Sequence, residues 1–308
     1  MEGEPDFGIR HKDTPAARHL YARAYPRPSN MVLPRRNTRP TAPLGDVLFG
    51  RKPTDMNASI SEIRSYPVKG LSGLILAHST LGKGQTISGD RRFALGRPGF
   101  AFDTKNPVWM PKTKFLALVS DERLAELDAG FDDVTNILTL RQSARVVLAA
   151  DISNGEGRSK VEAFFAAFLA DEIDGPPTLL EAREHSFSDL DAKVISLINL
   201  DSVTALGKEI DTDVDARRFR ANVYFEGAPA WAEFEWLDRK IRIGTAVAEV
   251  IKRTRRCAAT NVNPDTATRD MNLPRALQKG WDHTDMGVYA RVVEPGEIRP
   301  GDQIIPMP

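Results

Sequence analysis

The chain is short of cysteine, and this scarcity excludes several kinds of protein. Among its 308 residues the only cysteine is Cys257. One thiol cannot form an internal disulfide framework and fits a reducing compartment, so we expect a cytoplasmic protein. It also cannot hold a cysteine-ligated iron–sulfur cluster, which needs about four thiolates. The sequence contains no Cys/His spacing of the zinc-binding type.

The chain also lacks net charge and long apolar runs. Lys and Arg together number 42, as do Asp and Glu. Surfaces that bind nucleic acids or membranes need a basic field, so we expect no nucleic-acid partner. No stretch reaches the length of a transmembrane segment. A hydrophobic content of 41% is nevertheless sufficient for one large or two modest domains.

Residues 1–56 differ in composition from the rest of the chain. They contain ten Lys or Arg, six Asp or Glu and eight of the 21 prolines, with few apolar residues that could pack together. This composition predicts a disordered N-terminal extension. Two explanations compete: a genuine tail, or a start-site artefact, because Met56 directly precedes the first strand-like run. A transit peptide is a third alternative, which the acidic residues Glu2, Glu4 and Asp6 disfavour. The extension lacks the apolar run of a secretory signal.

From Ser59 the pattern changes to short strands separated by turns. The runs ISEIRSYPV, KFLALVS, NILTLRQ and RVVLAADI are strand-like, and GDRRFALGRPGFAFD predicts a hairpin. Short strands at such intervals favour a barrel or sandwich over a doubly wound sheet. In SKVEAFFAAFLADEI the apolar residues follow helical spacing, and Ser159 with Glu162 predicts a capping box at the helix start. We therefore predict a mainly β fold with some helix.

The surroundings of Cys257 indicate a thiol prepared for chemistry. Four basic residues crowd it in KRTRRCAATNVNPDT. Arg253, Arg255 and Cys257 alternate, so a regular strand would place all three on one face. Nearby cations favour the thiolate, the form that binds metals or attacks electrophiles. A small buried residue and a solvated strand face are the alternatives.

Two kinds of site would use such a thiolate. A cysteine protease needs a histidine base, and none of the five histidines lies in a recognisable protease signature. A metal site cannot be completed by a single protein thiolate, so the remaining ligands would come from a cofactor. Guanidinium and ammonium groups hold phosphate-bearing cofactors, and the sequence offers several of them, with Asn222 beside Arg220.

Five segments resemble those of MOSC-domain proteins, which are molybdenum-cofactor enzymes and sulfur carriers. In order along the chain they are IRSYPVKGLSG, GDRRFALG, RRFRANVYFEG, TRRCAATNVNPDTATRD and GEIRPGDQI. The first two resemble the MOSC N-terminal β-barrel domain and the others the MOSC domain itself. The resemblance implies an α+β architecture in which a smaller N-terminal β-barrel domain, residues 57–150, precedes a β-barrel MOSC domain, residues 165–308.

The resemblance implies a role for each matching residue. Cys257 would be the catalytic residue and the protein ligand to molybdenum. The residues that would hold the molybdopterin part of the cofactor are Lys69, Arg92, Arg220, Asn222, Thr254, Arg255 and Arg256. Ordinary strand charge is the alternative for Lys69 and Arg92.

Similarity to the amidoxime-reducing component family implies an oxidoreductase that depends on the molybdenum cofactor and reduces small N-hydroxylated compounds. A separate ferredoxin, flavoprotein or cytochrome-type reductase would supply electrons, because the chain has no spare cysteines for a cluster. Two alternatives stay open. The protein is a non-catalytic carrier of the cofactor or of a persulfide on Cys257, or it is a scaffold with an inert cysteine.

The sequence departs from that family in three places. Gly70 follows the Tyr-Pro-x-Lys step where the amidoxime-reducing branch has serine. The segment VWMPKTKF lacks the Thr-x-Arg-Gln pattern of that branch, and the loop QKGWDHTDMGVY is short. These departures predict a different substrate pocket around a retained cofactor site.

Overall fold

The computed structural model describes residues 58–183 and 185–308, so the predicted extension at residues 1–56 lies outside them. The described residues confirm the mainly β fold with some helix. The strands are β1 (Ser59–Ser65), β2 (Leu74–Leu76), β3 (Ser79–Leu81), β4 (Phe93–Gly96), β5 (Leu127–Asp132), β6 (Ile137–Gln142), β7 (Arg145–Asp151), β8 (Thr178–Glu181), β9 (Ile195–Asn199), β10 (Val223–Glu226), β11 (Lys240–Ile243), β12 (Ala246–Arg255), β13 (Asp285–Glu294), β14 (Gly296–Ile298) and β15 (Ile304–Pro306). The α-helices are α1 (Gly155–Phe168), α2 (Leu200–Glu209) and α3 (Leu273–Trp281). Within these ranges no helix combines the length and the apolar character needed to cross a membrane.

Eight strands form one curled sheet in the order β15-β11-β12-β13-β9-β10-β1-β2. All neighbours are antiparallel except β9 and β10, which run parallel. The sheet closes on itself, because Ile60 N donates to Asp302 O at 2.9 Å and Ile304 N donates to Ala58 O at 2.8 Å. Its interior is filled by small and branched apolar side chains with Phe225 and Trp236. The result is a closed barrel. β2 pairs with β1 at the end of the sheet and takes no part in closing the barrel.

β1 joins the two predicted parts of the chain. It comes from the segment assigned to the N-terminal domain, yet it lies between β2 and β10, which belongs to the second half. The residues from 58 onward fall in one compact unit. The division into domains at 57–150 and 165–308 stays a prediction.

A second hydrophobic core lies between α1 and the antiparallel sheet β5-β6-β7. Phe165 of α1 is fully buried in it. The predicted helix is confirmed, but the predicted capping box is wrong. Asn154 is the N-cap, and its side chain accepts a hydrogen bond from Gly157 N at 2.9 Å. Glu162 instead accepts one from Leu179 N at 2.9 Å, so it ties α1 to β8.

β4 does not form the predicted hairpin. It pairs antiparallel with β8, where Phe93 faces Glu181 and Gly96 faces Thr178. After β4 the chain follows an irregular path to a short 3-10 helix, Lys112–Lys114. The core around β8 stabilises this path, which brings Lys112 to the cavity described next.

Candidate functional site

A cavity of about 250 Å³ lies at the end of β12, where that strand gives way to a 3-10 helix, Ala258–Asn261. Segments from both halves of the chain line it. Seven of the eight residues predicted for the site are among the lining residues: Lys69, Arg220, Asn222, Thr254, Arg255, Arg256 and Cys257. The structure thus brings together residues that are far apart in the sequence.

Cys257 is partly exposed at the start of that 3-10 helix. Its carbonyl oxygen accepts hydrogen bonds from Thr260 N at 3.1 Å and Thr260 Oγ1 at 2.9 Å, which fix the backbone at this point. The side chain lies beside the Lys112 ammonium group and interacts with it. Burial alone would lower the pKa of Lys112, but its contacts with Cys257 and Asp189 outweigh burial and raise it. The thiol therefore has a fixed cation beside it.

The strict alternation predicted for this part of β12 is broken. The register between β12 and β13 shifts between Val250 and Lys252 and again between Arg253 and Arg255. Such irregularities turn successive side chains away from strict two-sided alternation. As a result, every residue from Lys252 to Cys257 lines the cavity.

Arg220 is a half-buried cation of the cavity wall. Its backbone is left-handed, with φ of 52°, and its guanidinium carbon lies 4.4 Å from the ring centroid of Tyr66. Burial, and secondarily the nearby Arg91, lower the pKa of Arg220. Within the described residues its guanidinium group makes no hydrogen bond or ion pair. This group is therefore available to an anion.

Lys69 is almost completely buried and is already paired. Its Nζ lies 2.5 Å from Asp189 Oδ1 and 2.8 Å from the carbonyl oxygen of Phe187. The second oxygen of Asp189 lies 4.0 Å from Lys112 Nζ. Burial acts to raise the pKa of Asp189, but the Lys69 ammonium outweighs burial and lowers it. One carboxylate thus orients two lysines toward the cavity.

Arg92 is the predicted residue that the structure does not bring to the cavity. Its guanidinium binds Glu181, with Nε and Nη2 donating to Oε1 at 3.0 and 2.5 Å. Arg91 lines the cavity instead and pairs with Asp90. Arg91 has a φ of 52°, whereas Arg92 leads into β4, so the two side chains diverge. The adjacent pair Arg91 and Arg92 correctly indicated a segment that reaches the cavity. The local sequence could not show which of the two arginines lines it.

Two predicted residues hold the cavity wall through their own hydrogen bonds. Asn222 Oδ1 accepts from Ser196 Oγ at 2.9 Å and Asn222 Nδ2 donates to Arg64 O at 3.2 Å. Arg256 Nε donates to Met286 O at 2.8 Å, and Nη1 donates to Phe219 O at the same distance. Burial lowers the pKa of Arg256. Both side chains therefore stabilise the cavity wall through hydrogen bonds within the protein.

Several features of the cavity fit a phosphate-bearing cofactor. Thr254 is buried, and its Oγ1 has no hydrogen-bond partner in the described part of the protein. A buried hydroxyl without a partner is costly, so its position in the cavity wall suits a polar ligand. The described residues contain no group of three or more His, Cys, Asp or Glu side chains able to hold a metal. A metal at Cys257 would thus need further ligands from a cofactor.

Sequence analysis missed Arg91, Lys112 and Asp189. Arg91 could have been found from the sequence, because it lies in the segment GDRRFALG beside Arg92, the residue that was predicted instead. Lys112 lies in the segment VWMPKTKF, which lacks a pattern of the amidoxime-reducing branch and therefore offered no candidate residue. Nothing in the local sequence distinguishes Asp189 from other surface carboxylates. Both reach the cavity only through the tertiary fold.

Comparisons with known proteins agree with the family resemblance. The MOSC domain family model matches residues 182–305. The mitochondrial amidoxime-reducing component 1 of Homo sapiens is 24% identical over 178 residues, which cover 48% of this chain and 52% of that protein. Its Mus musculus counterpart is 27% identical over 126 residues, covering 37% and 36%. Residues 182–305 thus match the MOSC domain, and the chain is distantly similar to these proteins, of which it spans about half the length or less.

Two solved structures are also similar. The YUAD protein of Bacillus subtilis is 11% identical, with 81% of this chain and 94% of that chain covered at a TM-score of 0.38. The YiiM protein of Geobacillus stearothermophilus is 22% identical, with 37% and 54% covered at a TM-score of 0.30. Neither score supports an argument about the site. The MOSC match begins at Ala182, and the N-terminal β-barrel domain stays a prediction.

Proposed function

We propose that this MOSC-domain protein is a molybdenum-cofactor-dependent oxidoreductase that reduces small N-hydroxylated compounds. The observation that carries the proposal is the partly exposed Cys257 in a cavity with the unpaired guanidinium of Arg220 and the unpartnered hydroxyl of Thr254. A thiolate ligand beside free anion-binding groups is what a cofactor with a metal at one end and a phosphate at the other requires. A reducing, cytoplasmic setting would keep the thiol available.

Different lining residues would bind different parts of this cofactor. Cys257 would supply the protein ligand to the metal, with Lys112 orienting the sulfur. Arg220 and Arg255 would bind the phosphate, and Thr254 Oγ1 would donate to or accept from the pterin. Arg91, which lines the cavity, would take the role that the sequence assigned to Arg92. When bound, the molybdenum centre supplies oxygen-atom transfer through a change of oxidation state.

The overall reaction consumes electrons and protons. An N-hydroxylated amine, two electrons and two protons yield the amine and one water, because the nitrogen–oxygen bond breaks, the nitrogen is reduced and the oxygen leaves as water. The electrons would come from a separate ferredoxin, flavoprotein or cytochrome-type reductase, since the chain's single thiol cannot hold an iron–sulfur cluster. Lys69 and Lys112, held by Asp189, are hydrogen-bond donors that can orient the oxygen atom of the substrate.

A second candidate function uses the same thiol. The partial exposure of Cys257 and the adjacent Lys112 ammonium would also suit a persulfide carrier, because a nearby cation stabilises an anionic sulfur. A carrier of the assembled cofactor would use the same cavity. Neither role needs an electron donor.

The test is the metal content and the activity of protein made with added molybdate. Wild type and Cys257→Ala are analysed for molybdenum and assayed with benzamidoxime and reduced viologen. Arg92→Gln is the matched control, because Arg92 lies outside the cavity. Near-stoichiometric molybdenum in wild type and the control, with little in Cys257→Ala, and turnover that follows the metal are expected. Molybdenum-free wild type bearing a persulfide would establish the carrier instead.

A further inference from the structure

Lys252 and Arg253 line the cavity, and neither is among the residues that the sequence predicts for the cofactor. Lys252 is exposed and Arg253 half-buried near the outer end of β12. In the described part of the chain, neither side chain takes part in a hydrogen bond between side chains or in an ion pair. The two shifts of register in β12 turn both residues toward the cavity. They form an unpaired cationic rim, which we call the outer pair.

Three of the other cavity cations are neutralised by carboxylates. Lys69 is paired with Asp189, Arg91 with Asp90, and Arg218 with Asp270. Asp90 and Asp189 are the two carboxylates that line the cavity, so both are already engaged. Because the whole chain has a formal net charge of zero, the positive charge of the outer pair is a local feature. A cavity with low-dielectric walls concentrates such a field.

Arg253 is held in place without using its hydrogen-bond donors. Its guanidinium carbon lies 4.3 Å from the ring centroid of Phe234. That ring is fixed by Trp231 and His283, whose centroids lie 5.6 and 5.4 Å away. Stacking on a packed aromatic ring orients a guanidinium group and leaves its edge free for a planar oxyanion. The contact therefore orients the Arg253 guanidinium group while its hydrogen-bond donors stay unused within the described residues.

We propose that the outer pair recognises a carboxylate or phosphate group on the substrate, so that the preferred N-hydroxylated substrates are anionic. This inference rests on the proposed reductase function. Arg220 and Arg255, of which Arg255 stands two residues before Cys257, remain for the cofactor phosphate, and Lys252 and Arg253 bind the substrate at the cavity entrance. A neutral compound of the same shape leaves both cations without a partner.

The experiment compares matched substrates on the molybdenum-loaded protein. One pair is hydroxycytidine, N-hydroxylated on its exocyclic amine, and its 5′-monophosphate; the other is benzamidoxime and its 4-carboxylate. The variant is Lys252→Gln combined with Arg253→Gln. Arg242→Gln is the control, because Arg242 is an exposed cation on β11. Molybdenum content and melting temperature are measured for every protein.

For the wild type and the control, we expect a KM at least about tenfold lower for the anionic member of one or both pairs, and this preference should weaken from about 20 mM to about 300 mM salt. The double variant should lose most of the preference while it keeps its molybdenum. The pair that shows the larger preference tells whether phosphate or carboxylate is recognised. Equal KM values within both pairs, or a preference unchanged by the double substitution, would overturn the inference.

Two further outcomes separate this inference from the function on which it rests. If the double variant loses molybdenum, the outer pair holds the cofactor and the inference is wrong, whereas the reductase proposal stands. If the loaded wild type reduces no substrate, binding of cytidine and cytidine 5′-monophosphate is measured by calorimetry. Tighter binding of the phosphate by about tenfold, lost in the double variant, supports the anion site without the reductase. Equal binding rejects it.

Discussion

Lys69 and Asp189 form an ion pair in the cavity wall, with Nζ 2.5 Å from Oδ1, although 120 positions separate them in the sequence. Lys69→Met would leave Asp189 and the carbonyl oxygen of Phe187 without this donor. We expect the free energy of unfolding to fall by about 1 to 3 kcal/mol, since the partners stay partly desolvated. Urea unfolding at pH 7 measures it. Lys114→Met, at an exposed lysine, should change it by less than about 0.5 kcal/mol.

Arg220 and Arg92 make a matched pair for the cofactor site. Arg220→Gln removes an unpaired guanidinium group from the cavity, and Arg92→Gln removes one that binds Glu181 outside it. We expect molybdenum content to fall at least about fivefold in the first variant and to stay at the wild-type level in the second, if phosphate binding follows charge and geometry. Equal metal content in both would remove the cofactor role of Arg220.

Thr254 allows a test in which one substitution should affect the stability of the cofactor-free protein and its molybdenum content differently. Its Oγ1 is buried without a protein partner, so Thr254→Val keeps the shape and removes a hydroxyl that bonds to nothing in the described structure. The cofactor-free variant should be at least as stable as the wild type. Its molybdenum content should be lower, because the ligand would lose a hydrogen bond. A less stable cofactor-free variant would show that the hydroxyl has a partner within the protein.

Glu233 predicts a pH dependence of stability. Burial raises its pKa to about 7, although hydrogen bonds from Ser202 and Asn199 oppose the rise. The unfolded chain releases this proton near pH 4.5, so the folded state holds more protons between these values. Its contribution to stability is therefore fully present below about pH 4.5 and is lost as the pH rises through about 7, for a total on the order of 3 kcal/mol.

Glu233→Gln checks this dependence, because glutamine does not titrate. The free energy of unfolding of the wild type should fall relative to that of the variant as the pH is raised from 5 to 7.5, and urea unfolding at several pH values measures both. A difference between the two proteins that stays constant over this range would show that the Glu233 carboxyl is not retained in its neutral form.

The sequence predicted the fold class, and most of the residues that it predicted for the site line the cavity. The segments around Cys257 and Arg220 carry recognisable patterns, because each lies on one continuous stretch that must keep its local geometry. The helix over α1 was predicted for the same reason, since apolar spacing is a local property. Its start was placed too late, because Asn154 caps the helix from a stretch without apolar periodicity.

What the sequence could not predict depends on distant pairing. β4 was expected to pair with the segment that follows it, yet it pairs with β8 across more than eighty residues of chain. That pairing turns Arg92 toward Glu181 and leaves Arg91 to the cavity. Lys112 and Asp189 meet beside Cys257 only when the irregular segment after β4 is in place. No local sequence pattern indicates these contacts between distant residues.

The closure of the main sheet has a consequence for the order in which the protein is made. β1 is synthesised early and β2 follows it directly, but its other hydrogen-bond partners lie in β10 and in residues 301–304. Until those residues have left the ribosome, β1 exposes the unpaired backbone groups that they would bind. We therefore expect β1 to wait in a non-native state during translation and the barrel to close late and slowly, as long-range strand pairing requires.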